Sequence, residues 1–599
     1  MPNLDLQNLD RVHVLDRVAS ELSIAPRHGE NAAPCAGVLG RVIAVTGSQA
    51  TADLTAATAD GAANTLPTIG ALVGVKTTGA LAVGTLCEIA ADDCSGDHDG
   101  RVTGRIDLLG EIATEASGSK RFQNGIRAYP TIGSAVMPIG GEELRIIFGL
   151  ENPDNVTIGE LQQDASIAAT IDAAEMVRKH FAIVGSTGSG KSSALALILR
   201  KLMAGHSDLR VLMIDAHNEY GDCFEDRAQI FGPGNLRLPF WLLNFDEIVQ
   251  IIFGARARAE HEIALLAELI PAAKTEYARA KSVMRTSYRP AQTEASRHTV
   301  DTPVPYRFED VIAAAETRMG KLENGDLAVQ YQRLLMRINA VRSNPRYAFI
   351  FEDAGETSDR MVEILCQLLR LKDGERPMAI VQLAGFPAET IDVIVSVLFR
   401  LAFDFGVWSD ALSPLLIVCE EAHNYANADQ ALGFRPAREG MSRIAKEGRK
   451  HGVFLGLVTQ RPHQLDPTLI SQCSTVFAMR LGHDDDQKIV RAAVSDAASR
   501  LLAFLPSLGT REALVIGAAV PTVTRMRFEE LPEHCLPCSQ AVWGGDAAGA
   551  SQINDQVIAN VVARWRGTAP VSKPAPAPMP DAASRADELV GWSAPTCRG

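Results

Sequence analysis

The chain has 599 residues, of which 46% are hydrophobic and 22% charged, with a net charge of −14. That length holds several domains or one large core with insertions, and no apolar run approaches the ~18 residues of a membrane span. The acidic balance advertises no general affinity for nucleic acid. A ring can nevertheless confine basic residues to a pore while its outer face stays acidic, so evidence for DNA has to be local.

The opening stretch, MPNLDLQNLDRVHVL, is acidic and lacks a signal-peptide core, which predicts a cytoplasmic protein without membrane contact. Residues 1–29 carry no chemistry that can be named. From 30 to 150 the pattern becomes short β-rich runs with glycine turns: GVLGRVIAVTG, LPTIGALVGVKT, LAVGTLCEIA, GRVTGRIDLLGEI and PTIGSAVMPI. Strands at this spacing predict a small β-barrel or sandwich. It holds no paired carboxylates or histidine cluster, so it reads as a docking or assembly module.

The stretch FAIVGSTGSGKSS, Phe181 to Ser193, comes next and commits the chain to nucleotide phosphate chemistry. Phe181–Val184 suits a buried strand, and the composition after Ser192 suits a helix. Between them Gly185, Ser186, Thr187, Gly188, Ser189 and Gly190 form a loop whose backbone N–H groups can face phosphate oxygens at a helix N-terminus. Lys191 supplies a point charge for the β- and γ-phosphates, the Ser192 hydroxyl suits Mg²⁺, and Ser193 completes the nucleotide-binding stretch. The cofactors expected are therefore ATP and Mg²⁺. Past this helix Val211–Ala216 reads as a strand, and Asp215 at its tip is a candidate for supporting the phosphate site from behind.

Residues 246–340 read as an amphipathic helical insertion, with a polar surface loop inside it. Strand-like runs resume at Ala379–Leu383. Leu415–Glu421, LLIVCEE, is an apolar strand ending in two adjacent carboxylates. That is the Walker-B pattern: Glu420 is assigned to Mg²⁺ and Glu421 to the attacking water. Arg435 to Lys450 holds six basic residues against two acidic ones. Either this is a solvated helix with Arg443 and Glu447 paired four residues apart, or Arg449 or Lys450 enters a neighbouring subunit's ATP site while other basic residues face a DNA-filled pore.

Val453–Gln460, VFLGLVTQ, reads as a buried strand whose terminal Gln460 senses the γ-phosphate. TVFAMRL and ALVIGAAV add sheet strands, and Arg480 is a second arginine-finger candidate. Among ten cysteines, Cys419 and Cys473 fall in or near strands, as buried thiols do, and Cys535 and Cys538 form one CxxC for which a structural role is expected. Residues 531–599 lose periodicity, include a Pro/Ala linker at 569–580, and end in ASRADELVGW, a candidate docking helix.

Taken together, KHFAIVGSTGSGKS, MIDAHNEY, LPFWLLNF, NPRYAFIF, IVCEEAHNY and IAKEGRKHGVFLGLVTQRP make residues 30–530 resemble the HerA family of hexameric DNA-translocating ATPases, within the FtsK/HerA group. The resemblance implies an α/β fold with a RecA-like P-loop core over 151–530, a partner-docking barrel before it, and a homohexameric ring through which double-stranded DNA passes. It implies Arg449 as the finger acting across the subunit interface and Gln460 as the sensor. It also implies an effector partner, such as a NurA-type nuclease or a sirtuin-type NADase, in DNA end processing or anti-phage defence. The family's DPHGEY-like loop reads DAHNEY here, without its proline and glycine. Two other readings stand beside this one: a secretion or conjugation ATPase, which would normally bring membrane contact, and a scaffold ring held by ATP that activates an effector with little translocation.

Overall fold

A computed structural model describes residues 37–538, apart from 56–67, 92–100, 116–117, 150–153, 255–258, 285–297, 322–324, 352–358, 373 and 493–500, together with Val562. The expectations for residues 1–29, for the 569–580 linker and for the terminal helix lie outside the described residues. Backbone contacts divide the chain into two compact units, Met1–Leu108 with Ala128–Ile139 and Leu109–Arg127 with Gly140–Gly599, in their described parts.

The first sheet contains β1 (Gly40–Val45), β2 (Gln49–Asp53), β3 (Leu72–Lys76), β4 (Ala80–Ala91), β5 (Val102–Thr114), β6 (Lys120–Asn124) and β7 (Ala135–Pro138). Its order is β2-β1-β7-β3-β4-β5-β6, and an antiparallel pairing of β2 with β5 closes six strands into a barrel. The buried side chains Val42, Ala52, Val75, Val83 and Ile106 come from five of those strands, as inward-facing positions of a small barrel require. The five apolar runs correspond to β1, β3, β4, β5 and β7. Strands β2, QATAD, and β6, KRFQN, carry too little apolar patterning to announce themselves.

The second sheet is built from β8 (Asn155–Leu161), β9 (Ala168–Asp172), β10 (Phe181–Val184), β11 (Arg210–Asp215), β12 (Ala228–Phe231), β13 (Met378–Gln382), β14 (Leu415–Cys419), β15 (Val453–Thr459), β16 (Thr475–Ala478), β17 (Glu512–Gly517) and β18 (Thr524–Phe528). Their order is β12-β13-β11-β14-β15-β10-β16-β17-β18-β8-β9. Pairs from β12 to β16 are parallel and pairs from β16 to β9 antiparallel. All residues of β10, β14 and β15 are buried, which is why their sequences are continuous apolar runs: a parallel strand covered on both faces has no polar side to show. Register aligns their carboxyl ends, with Val184 opposite Thr459 and Cys419 opposite both Leu457 and Ile214. The loops leaving these strands therefore converge on one end of the sheet. This is the P-loop α/β core with a barrel expected from the sequence.

The insertion between β12 and β13 is helical, with helices at Phe245–Phe253, Glu260–Met284, Phe308–Met319 and Gly325–Arg342. LPFWLLNF and NPRYAFIF meet beside it. Leu238 N–H donates to the Phe349 carbonyl at 3.0 Å, and the Phe240 and Phe351 rings stack with centroids 6.0 Å apart. Both motifs are thus packing elements. Lys274 is buried here, its ammonium donating to the carbonyls of Thr299, Val300 and Thr302 at 3.2, 2.6 and 2.8 Å. Those acceptors replace the water its charge gives up.

His180 precedes β10 with a left-handed backbone (φ +58°), and its Nδ1 accepts the Leu455 N–H at 2.9 Å. Burial, and then the nearby Arg449 charge, hold this imidazole down to about 4, against a weaker pull from the Ala445 backbone. The unfolded chain takes up a proton near pH 6.5 that the folded chain refuses until about pH 4, so this contribution is whole above 6.5 and is lost as pH falls through the window. His180→Asn keeps an acceptor and tolerates the left-handed backbone. It is expected to make the acid-side loss of stability between about pH 6.5 and about pH 4 shallower by about 3 kcal/mol. Thermal-unfolding midpoints of parent and variant, compared across that range, check it; parallel curves would contradict it.

Candidate active site

The loop after β10 turns on glycine. Gly188 and Gly190 have φ of +74° and +99°, the left-handed region that side chains disfavour. A Cβ on Gly185 would lie 2.8 Å from that of Met479, so that position also requires glycine. Neighbouring strand ends pin the loop: Gly185 N–H donates to Thr459 O (3.3 Å), Ser186 N–H to Arg480 O (2.7 Å), and Arg511 N–H to Ser189 O (2.9 Å). The Ser189 hydroxyl and the Lys191 ammonium both donate to Ser186 O, at 2.7 and 3.1 Å. Helix Lys191–Gly205 then begins, with Gly190 at its cap. The result is an anion cradle whose lysine is folded back onto its own loop. Burial pushes the Lys191 amine down, while Glu421, Glu420 and Glu219 pull it back.

The two carboxylates after β14 differ in surroundings. Glu420 is buried, and its Oε2 accepts the Ala216 N–H at 3.1 Å. Asp215, fully buried beside it, accepts the N–H groups of Glu219 and Tyr220, both at 3.1 Å. Burial, and then the negative neighbours Asp215, Glu219 and Glu421, push Glu420 up to about 9, and burial raises Asp215 as well. Burial and mutual repulsion thus disfavour full ionisation of this pair.

Glu421 stands apart. Burial alone would raise it, but the hydrogen bond and charge of His423, the Gln460 N–H and Lys191 outweigh that and hold it below the ordinary carboxylate value. Its Oε2 lies 3.2 Å from His423 Nδ1 and 3.5 Å from Gln460 N. The Gln460 side chain reaches the cradle, where its Oε1 accepts the Thr187 hydroxyl at 2.6 Å. An ionised carboxylate, a lysine and an amide bonded to the phosphate loop thus share one end of the sheet.

The Ser192 hydroxyl donates to Glu219 Oε2 at 3.0 Å. A hydroxyl and carboxylates suit Mg²⁺, which takes oxygen ligands and keeps most of its water. No group of three or more metal-binding His, Cys, Asp or Glu side chains occurs among the described residues. Sequence reading stopped at Asp215 and missed Glu219. It also missed His423, whose signal lay within EEAHNY, and Arg511. The latter has a left-handed backbone (φ +65°), touches the cradle through its N–H, and has no local sequence signal.

The finger candidates fall at opposite ends of the sheet. Arg480 follows β16 and its carbonyl holds the chain's own Ser186. Arg449 lies in the turn Gly448–His451 that precedes β15, so the length of that strand, about 20 Å at ~3.3 Å per residue, separates it from Gln460. Arg443 does not pair with Glu447: it lies over the Phe403 ring at 4.1 Å and reaches Asp404 at 4.0 Å, because the packed helix Ala388–Trp408 offers it a better partner than its own helix does. Cys419 and Cys473 are buried, with Cys473 pushed up to about 12 by burial, as inert thiols are.

Comparison with known proteins agrees with this geometry. The family described as "Helicase HerA, central domain" matches residues 156–402. A probable helicase of Methanocaldococcus jannaschii is 26% identical over 438 residues, 71% of this chain and 76% of that protein. A probable DNA double-strand break repair helicase HerA of the same organism is 25% identical over 505 residues, 78% of this chain and 93% of that protein. Among solved structures, VirB4 of Thermoanaerobacter pseudethanolicus covers 64% of this chain and 99% of its own at 14% identity, with a TM-score of 0.42. With the P-loop core and these relatives in hand, the chain is similar to the HerA helicases, and its residues 156–402 match that family's central domain.

Proposed function

We propose that the protein is an ATP- and Mg²⁺-dependent motor that translocates double-stranded DNA as a homohexameric ring. One observation carries this reading: Lys191, Glu421 and Gln460 converge at one end of the sheet while Arg449 sits a strand length away at the other. A ring stacks one copy's finger against the next copy's site, which completes both. In this reading residues 185–193 cradle ATP, Ser192 holds Mg²⁺ with Glu420 and the neighbouring Glu219 behind it, Glu421 orients the attacking water, and Gln460 senses the γ-phosphate through Thr187. Bound Mg²⁺ would neutralise charge on the β- and γ-phosphates. The names carried by the relatives support DNA as the track.

The domain plan has a docking barrel at 30–150, a motor core at 151–530 with its insertion at 246–340, and a tail at 531–599. The barrel receives an effector such as a NurA-type nuclease or a sirtuin-type NADase, in DNA end processing or anti-phage defence. No helix among the described residues is long and apolar enough to cross a membrane, in keeping with cytoplasmic work. Linear double-stranded DNA is expected to raise steady-state ATP hydrolysis at least ~10-fold, as an electrostatically bound track that organises the ring should. Hydrolysis indifferent to DNA, or seen only with a partner protein, would favour an ATP-held scaffold ring instead.

A further inference from the structure

His423 is buried in the turn Ala422–Asn424, immediately after the two carboxylates. One ring atom, Nδ1, lies 3.2 Å from Glu421 Oε2 and 3.0 Å from Thr459 Oγ1. An ionised carboxylate only accepts, so this nitrogen carries the proton and shares it between Glu421 Oε2 and Thr459 Oγ1. Thr459 is fully buried at the end of β15, its hydroxyl accepts the Arg461 N–H at 3.0 Å, and its carbonyl accepts Gly185 N–H from the phosphate loop. The histidine therefore ties the carboxylate to the strand that bears Gln460 and props the cradle.

Glu421 needs such a tie. Its backbone is left-handed, with φ and ψ both 47°, a conformation that a non-glycine residue keeps only when its surroundings enforce it. The other group holding its carboxylate among the described contacts is the Gln460 N–H, at a long 3.5 Å. Without the imidazole, the carboxylate is free to leave the position from which it can address water at the γ-phosphate.

We infer that His423 is a positioning residue for hydrolysis: its Nδ1–H fixes the Glu421 carboxylate against Thr459 and so couples the catalytic group to the γ-phosphate sensor strand. The inference rests on the ATPase reading above. It concerns one atom, which gives it a specific test. An asparagine side chain places its amide near the Nδ1 position, a glutamine near Nε2, and alanine supplies neither.

The full-length protein and its His423→Asn, His423→Gln and His423→Ala variants are compared for ATP turnover, and for binding of ATPγS by a fluorescent displacement assay, after their unfolding midpoints are matched. All are expected to bind ATPγS within about 3-fold of the parent, while kcat falls at least ~10-fold in the glutamine and alanine variants and far less in asparagine. Adding His423→Ala to Glu421→Gln is expected to cost nothing further, since both remove one arrangement. Equal losses in asparagine and glutamine, a parent-like rate in alanine, or weakened ATPγS binding would overturn the role of His423. A parent that binds ATPγS but never turns over ATP would instead overturn the ATPase reading.

Discussion

Glu421→Gln is expected to bind ATP as tightly as the parent and to hydrolyse it about 100- to 1,000-fold more slowly. The amide fills the same volume and can still meet the Gln460 N–H, so the cradle made by residues 185–193 stays intact. What disappears is an acceptor able to polarise water, together with the charge facing Lys191. The variant should consequently hold nucleotide and stall. Lys191→Ala should differ in kind, because it removes the cation whose charge binds the phosphates: nucleotide affinity falls together with turnover. Equilibrium binding and single-turnover hydrolysis on the two proteins separate these outcomes. Retained turnover in Glu421→Gln would remove Glu421 from its assigned role, and Glu420, whose Oε2 is engaged by the Ala216 N–H, is not placed to substitute.

Mixing inactive subunits should restore activity only where a residue works across an interface. Arg449→Ala alone is expected to lower kcat about 1,000-fold, in the range of arginine-finger losses. Lys191→Ala alone should be inactive. In rings assembled from equal amounts of the two, a site needs Lys191 from one copy and Arg449 from the next, so random mixing should recover about a quarter of the parent rate if sites act independently. Arg480→Ala mixed with Lys191→Ala should recover nothing, since the Arg480 backbone already holds its own Ser186, which places the residue at its own copy's site. Recovery with Arg480 and none with Arg449 would exchange their roles.

The parts legible in the sequence were those where one physical requirement dominated. Strands β10, β14 and β15 are covered on both faces, so their burial wrote itself as FAIV, LLIVC and VFLGLVT. The phosphate loop was legible because an anion cradle needs left-handed backbone at Gly188 and Gly190 and a lysine at a fixed offset. Strands β8, β9 and β18 were not. They extend the sheet as antiparallel strands with one half-exposed face, and NVTIGEL or TRMRF gives only partial alternation. Helix Gly141–Phe148, within the stretch whose pattern read as strands, is short and announced mainly by its Glu142 and Glu143.

The same division holds in the site. Lys191, Glu421 and Gln460 come just after strands whose ends could be predicted, so their convergence could be too. Glu219 reaches Ser192 only because Asp215 captures the backbone of a loop turned by Asn218, which has φ of +61°. Arg511 approaches Ser189 from a strand added by the antiparallel edge. Contacts that depend on how a loop folds back, rather than on where a strand ends, leave little periodic trace.

Movement along DNA is the central claim, and hydrolysis alone does not establish it. The most direct measurement is displacement of a labelled triplex-forming oligonucleotide from a linear duplex, with the parent protein and with Glu421→Gln, in ATP and Mg²⁺. Translocation predicts displacement by the parent, lengthening in delay with distance from the DNA end, and none by Glu421→Gln. A parent that hydrolyses ATP on this DNA and leaves the triplex in place would contradict the motor and leave an ATP-held ring that works by assembling its partner.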